Sequence, residues 1–222
     1  MPVPAGTGEQ PRVFLRDLVY ERVRDAIVSG QLEPGEVLRE PELREWLGVS
    51  GTPIRQALAK LEEAGLVETV ANRYTRVTQL DLREVLETYQ VVAALHELAA
   101  RLAAGRLSKG DVDAMRVANR AFAAAVESED LDAATAADDA LHGVILQAAL
   151  NGLVMSTLER LTPIIRRAER VRFRVFCGRK SVHQHAQLIA KCLAGDVDGA
   201  AQVARLNWEP VIAHIHEVLA SH

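Results

Sequence analysis

Residues Glu42 to Leu66, ELREWLGVSGTPIRQALAKLEEAGL, set two hydroxyls and a guanidinium at the start of an amphipathic helix. Ser50 or Thr52 can cap that helix by accepting a backbone N–H bond, and either hydroxyl can instead bond a phosphate. Arg55 follows near the helix start, where its paired donors can reach guanine O6 and N7. A shorter helical pattern ends at Leu47, and Gly48 makes the turn between the two. Two helices joined in this way suit a helix-turn-helix, whose second helix enters the DNA major groove N-terminus first. A different chemistry lies further along. Asp138 and His142 are four residues apart and so share one helix face. A carboxylate with a neutral imidazole is half of a divalent-metal site.

The elements that must hold these residues can be read from periodicity. Arg16 to Ser29 reads as a helix with Leu18, Val19, Val23, Ala26 and Ile27 on one face. Leu32 to Gly35 is a turn, and Glu42–Leu47 and Thr52–Ala64 are the next helices. Leu66–Val70 and Thr75–Thr78 then read as short strands around a turn with Arg73 at its tip, where it could enter the minor groove. Three helices and a hairpin make a winged helix-turn-helix over residues 14–78. Residues 1–13 read as a flexible tail without an apolar signal core.

Beyond Thr78 the pattern is helical to the end. Asp81 with Glu84 and Ser108 with Asp111 resemble capping boxes. Further helices are expected from Leu131 to Ala149, from Leu153 with Pro163 as a kink, from Ser181 to Ala194, and after Asp196 until Pro210 bends or breaks the last. The expected class is mainly α: the winged domain, then a helical bundle over 81–222 large enough to bury its own core. The arginines at 166, 167, 170, 172 and 174 read as a solvated helix face, with a secondary DNA or dimer contact as the sharper alternative.

Bulk properties bound the function. Hydrophobic residues make up 49% of the 222 and aromatics 4%, so an Ala, Leu and Val core is required, which suits close-packed helices. Nothing approaches a membrane span. Cys177 and Cys192 form no close metal pair and are read as reduced thiols in a cytoplasmic protein. The net charge of −4 gives no domain-wide basic footprint. Locally, however, Ser50 to Leu61 carries Arg55 and Lys60 and no acid, and DNA contact needs only a local positive surface.

The run VYERVRDAIVSGQLEPGEVLREPELREWLGVSGTPIRQALAKLEEAGLVE, Val19 to Glu68, resembles the DNA-binding domain of GntR-family bacterial transcription regulators. LHELAARLAA (Leu95 to Ala104), Asp138–His142 followed by Asn151, and His185 leading to Gly195-Asp196 resemble the FCD domain of the FadR subfamily. The resemblance implies a dimeric regulator, with repression the expected action, that binds operator DNA and senses a small organic acid in its helical domain. It also implies operator contacts by Ser50, Thr52 and Arg55. His185 matches the family's third metal ligand, joining Asp138 and His142 at a zinc or nickel site.

The chain departs from the family at several of these places. Gly51 and Pro41 stand where relatives carry Arg, and Tyr74 replaces a wing Gly. The fourth metal-ligand position, usually His, is Asn207, a weaker ligand. Val92 and His96 occupy effector-pocket positions that hold Arg and Glu elsewhere, so a cation for an effector carboxylate is missing. Val92 reads as core; His96 either lines the pocket or is a buried histidine. His183, His216 and His222 are given no role. Two other readings stay open: a DNA-binding regulator whose bundle only dimerises, and a metal-dependent hydrolase, although no HExxH or nucleophile constellation is present.

Overall fold

The computed structural model describes residues 14–71, 73–171 and 178–220. The chain divides into two compact units, Met1–Gln79 and Leu80–His222. The tail at 1–13, Arg172, Arg174, Cys177 and His222 lie outside the described residues.

In the first unit, α1 spans Leu15–Ser29, α2 Glu40–Leu47 and α3 Gly51–Glu63. Val19, Val23 and Ile27 of α1 are buried together with Leu43 of α2 and with Ile54, Ala57 and Leu61 of α3. These apolar residues recur at three- and four-residue spacing, so each helix buries one stripe. Gly48 ends α2 with φ 67°, a left-handed conformation that an L side chain resists. That glycine fixes the tight turn of the helix pair. Strands β1 (Val37–Leu38), β2 (Val67–Val70) and β3 (Tyr74–Val77) form an antiparallel sheet in the order β1-β3-β2. The two-residue strand β1 lies within no expected element: Val37 pairs with Arg76 and Leu38 with Thr75. A strand that short carries too little alternation to be read from sequence.

The second unit is helical: α4 (Leu82–Ala103), α5 (Lys109–Glu127), α6 (Leu131–Ala149), α7 (Gly152–Val171), α8 (Gly178–Leu193), α9 (Val197–Leu206) and α10 (Glu209–Ala220). Ser108 and Asp111 form the expected capping box. Asp81 caps α4 through the Arg83 amide, so the sequence signal there is a single cap and not a reciprocal box. Leu150, not Asn151, takes the left-handed position that ends α6, while the Asn151 side chain accepts from the Leu153 and Val154 amides at the start of α7. Pro163 sits inside α7. Pro210 falls in the first turn of α10, where its missing N–H costs nothing, so the chain breaks at Asn207–Trp208 and restarts.

Alanines set how closely these helices approach. Ala99, Ala100 and Ala103 of α4 and Ala200 and Ala204 of α9 belong to one buried cluster and are almost completely covered. The α4–α9 and α5–α6 pairs are the most extensively packed. Among the described residues no helix is long and apolar enough to cross a membrane.

Candidate DNA-recognition and metal sites

The start of α3 gathers the candidate DNA residues. Ser50 holds the N-cap position in extended backbone, but its hydroxyl makes no capping bond. Thr52 lies in the first turn. The expectation that one of the two hydroxyls caps the helix is therefore not realised by Ser50. Arg55 Nη1 donates to both carboxylate oxygens of Glu40, at 2.9 and 3.0 Å, and Nη2 donates to Thr52 Oγ1 at 3.4 Å. The Arg55 side chain remains 61% exposed. An exposed ion pair is worth up to about 1 kcal/mol, and a bidentate arginine–guanine contact about 1–3 kcal/mol. The weak pair therefore leaves the solvent-facing side of the guanidinium open to a base edge at little cost. Arg73 is exposed in the turn between β2 and β3, and its amide donates to Val70 O at 2.9 Å.

In the helical unit, α6 presents Asp138 and His142, and α8 brings His185 to them. The ligand atoms of the three residues all lie within 4.8 Å of one another, and all three side chains are buried. Asp138 Oδ1 is 3.6 Å from His142 Nε2 and 3.4 Å from His185 Nε2. Its other oxygen accepts from Arg166 Nη2 at 2.9 Å. A tetrahedral ion with ligand bonds near 2.1 Å would separate donor atoms by about 3.4 Å, close to these spacings.

Hydrogen bonding around His185 fixes the placement of its ring. The Asn119 amide nitrogen donates to Val182 O at 3.2 Å, which turns the Asn119 oxygen toward His185 Nδ1, 3.3 Å away. A proton on Nδ1 would donate to that oxygen, and in that tautomer Nε2 is the atom that can bind an ion. Such outer partners fix tautomer and orientation at metal sites. Nε2 of His185, both ring nitrogens of His142 and Oδ1 of Asn207 are buried without a hydrogen-bond partner. Buried polar atoms seldom stay unpaired. A divalent ion would satisfy Asp138, His142 and His185 together, so the residues fit the group. Asn207 caps α9 at its C-terminus, and its side-chain oxygen is buried without a hydrogen-bond partner.

Charge supports the same fit. Burial lowers His142 to about 4 against the pull of Asp138, and burial likewise lowers His96. Both imidazoles are neutral at pH 7. Burial alone would raise Asp138, but its imidazole neighbours and Arg166 outweigh it and hold the carboxyl well below its ordinary value.

Beside the ligands is a cavity of about 60 Å³ lined by Val92, His96, Asp138, His142, Arg166 and Trp208, among others. Val92 is at once core and lining. His96 is both buried and lining, packed edge-on against His142 at 4.8 Å and tilted by 35° against Trp208 at 5.0 Å. Arg166 and Arg167 correct the expectation of a solvated arginine face: the Arg166 side chain is 11% exposed and Arg167 is 2% exposed. A cation is therefore present at the pocket, on α7 and not on α4. It is already engaged by Asp138, Asp139 and Glu169. Burial raises Glu169, which accepts from the Tyr89 hydroxyl at 3.2 Å. Asn119 and Trp208 escaped the sequence reading, and Arg166 was read there as solvated, because their contacts join helices distant in sequence.

A pH dependence follows from the neutral imidazole. In metal-stripped protein, unfolded His142 takes up a proton near its ordinary 6.5, while the folded residue waits until about 4. Proton uptake therefore favours unfolding as pH falls through that window, by at most about 3 kcal/mol. With chelator present, the melting temperature should decline between pH 7 and 4.5. A flat profile would contradict a neutral buried His142.

Comparison with known proteins agrees with both units. The family model for bacterial regulatory proteins of the gntR family matches residues 15–77, and the FCD domain model matches residues 87–209. A probable D-xylose utilization operon transcriptional repressor of Paenarthrobacter nicotinovorans is 33% identical over 144 residues, 63% of this chain and 63% of that protein. The repressor RspR of Escherichia coli K12 is 23% identical over 201 residues, 90% of this chain and 88% of that one. Among solved structures, E. coli McbR/YncC superposes with a TM-score of 0.80 at 20% identity, covering 93% of this chain and 99% of that chain. A GntR regulator from Rhodococcus gives 0.72 at 21% identity, covering 91% and 97%. The chain belongs to the gntR family of bacterial transcription regulators, as a member with a helix-turn-helix domain followed by an FCD domain.

Proposed function

We propose that this regulator is a cytoplasmic homodimeric repressor that responds to a small organic acid held at a zinc or nickel ion. The observation that carries this reading is the buried Asp138, His142 and His185 group beside a cavity. Two similar proteins described as repressors support the sign of the response. In the dimer, two α3 helices would occupy major grooves about one DNA turn apart on a pseudo-palindromic operator. Arg55 reads a base, Ser50 and Thr52 bond phosphates, and Arg73 reaches the minor groove.

The cavity limits the effector. One water needs about 10–15 Å³ of such space, so a guest with only a few heavy atoms fits. Trp208 Nε1 is buried without an acceptor and can donate to an oxygen of that guest. The surrounding charge excludes an anion by itself: Asp138 is ionised, Asp139 and Glu169 also face Arg166, and His96 and His142 are neutral. Bound at Asp138, His142 and His185, with Asn207 as the weak fourth donor, a divalent ion supplies the positive charge that a carboxylate requires. His96 and Val92 then shape the cavity wall, and Arg166 keeps Asp138 ionised and oriented. Effector binding switches the protein only by favouring one arrangement of the DNA-binding domains over another.

Thermal shifts with two- to four-carbon monocarboxylates test this. They should stabilise zinc-loaded protein and leave chelator-treated protein unchanged. Equal stabilisation in both would remove the metal from effector recognition.

A further inference from the structure

Gly51 is the first residue of α3, and its missing side chain leaves a space that is filled from another helix. A Cβ built at position 51 would overlap Glu40 Oε1 and lie 2.8 Å from Arg55 Nη1. Glu40 is the first residue of α2, so the space over Gly51 is where α2 and α3 exchange their ion pair. Both contacts of that pair run through Arg55 Nη1, and Nη2 turns toward Thr52. Glu40 is 34% exposed and Arg55 61%, so the guanidinium is braced on one side and open on the other.

Two physical consequences follow. A long arginine loses rotamer freedom when it binds a base, and a neighbour that already restricts it removes part of that cost. The carboxylate also sits near the positive end of α3, where the helix dipole favours it and where a phosphate would otherwise be attracted.

We propose that Glu40 is a positioning residue for sequence selectivity, and that Gly51 is required because it makes room for the Glu40 carboxylate. Glu40 aims Arg55 at its base and, by like charge, weakens indiscriminate phosphate binding. Gly51 thus exchanges a general DNA contact for discrimination. The proposal rests on Arg55 being the base-reading residue.

The test uses the full chain. A duplex chosen by in vitro selection from a random pool is compared with a scrambled duplex of equal length at fixed salt. Glu40→Ala should lower the ratio of the two affinities about tenfold and raise scrambled-duplex affinity severalfold. Glu40→Gln keeps an acceptor for Arg55 without the charge. It should retain most of the ratio while sharing the raised scrambled affinity. Gly51→Ala displaces only the flexible ends of Glu40 and Arg55, so it should fold with an unchanged or higher melting temperature and lose the ratio at least as far as Glu40→Ala does. The double variant should be no worse than the more affected single one, because both remove the same interaction. An unchanged ratio in Glu40→Ala, or additive losses in the double variant, would overturn the proposal. If Arg55→Ala keeps full affinity for the selected duplex, the base-reading role fails and this proposal with it. If Arg55→Ala loses affinity while Glu40→Ala keeps the ratio, only the positioning role fails.

Discussion

Zinc should raise the melting temperature of the wild-type chain by about 10 °C, and His185→Ala should eliminate nearly all of that rise. Ligand at a thousand times its dissociation constant stabilises the folded state by about 4 kcal/mol, and each kcal/mol moves the midpoint of a chain of this size by about 2–4 °C. His185 is fully buried, and its unpartnered Nε2 lies 3.4 Å from Asp138 Oδ1. Removing the ring also changes packing against Phe122, 5.0 Å away, so the measured quantity is the zinc-induced difference within each variant. Asn119→Ala leaves the imidazole in place but removes its orienting acceptor, and should weaken zinc about 10–100-fold. Asn207→His should act in the opposite direction. A full zinc-induced shift in His185→Ala would show that zinc binds elsewhere.

The second large effect is expected on DNA. Arg55→Ala should weaken the selected operator about 10–100-fold for each half-site while changing scrambled-duplex affinity little, because a base contact is worth about 1–3 kcal/mol and carries the sequence information. Arg73→Ala should instead weaken all duplexes alike and reduce the salt dependence by about one unit of slope. Losing the exposed Arg55–Glu40 pair costs up to about 1 kcal/mol of stability, so Arg55→Ala remains folded. Gel shifts with both duplexes at two salt concentrations separate the two residues. Operator affinity equal to wild type in Arg55→Ala would exclude it as a base reader.

Much of the architecture was legible because it depends on neighbours in sequence. The stripes of α1 and α3, the left-handed Gly48, the Ser108–Asp111 box and the restart at Pro210 are set within a turn or two of chain. Asp138 and His142 were legible as a pair for the same reason, since a helix places residues four apart on one face. The short β1 was not, because its two residues form a strand only when β3 supplies the partner. The arginine run misled for a related reason. Charge spacing on α7 does not reveal that Arg166 meets carboxylates on α6, and burial of a guanidinium depends on those partners.

The sequence by itself determined the family, the mainly helical class, the helix-turn-helix and the pairing of Asp138 with His142 on one face of α6. Tertiary structure decided the chemistry of each site: that Glu40 fills the space over Gly51 and grips Arg55, that the Asn119 amide oxygen faces His185 Nδ1, and that among the described residues the cation at the pocket comes from α7. The physical reason is range. Helical periodicity and capping act over a few residues, whereas ion pairing, tautomer choice and desolvation depend on atoms brought within about 4 Å by packing of distant segments.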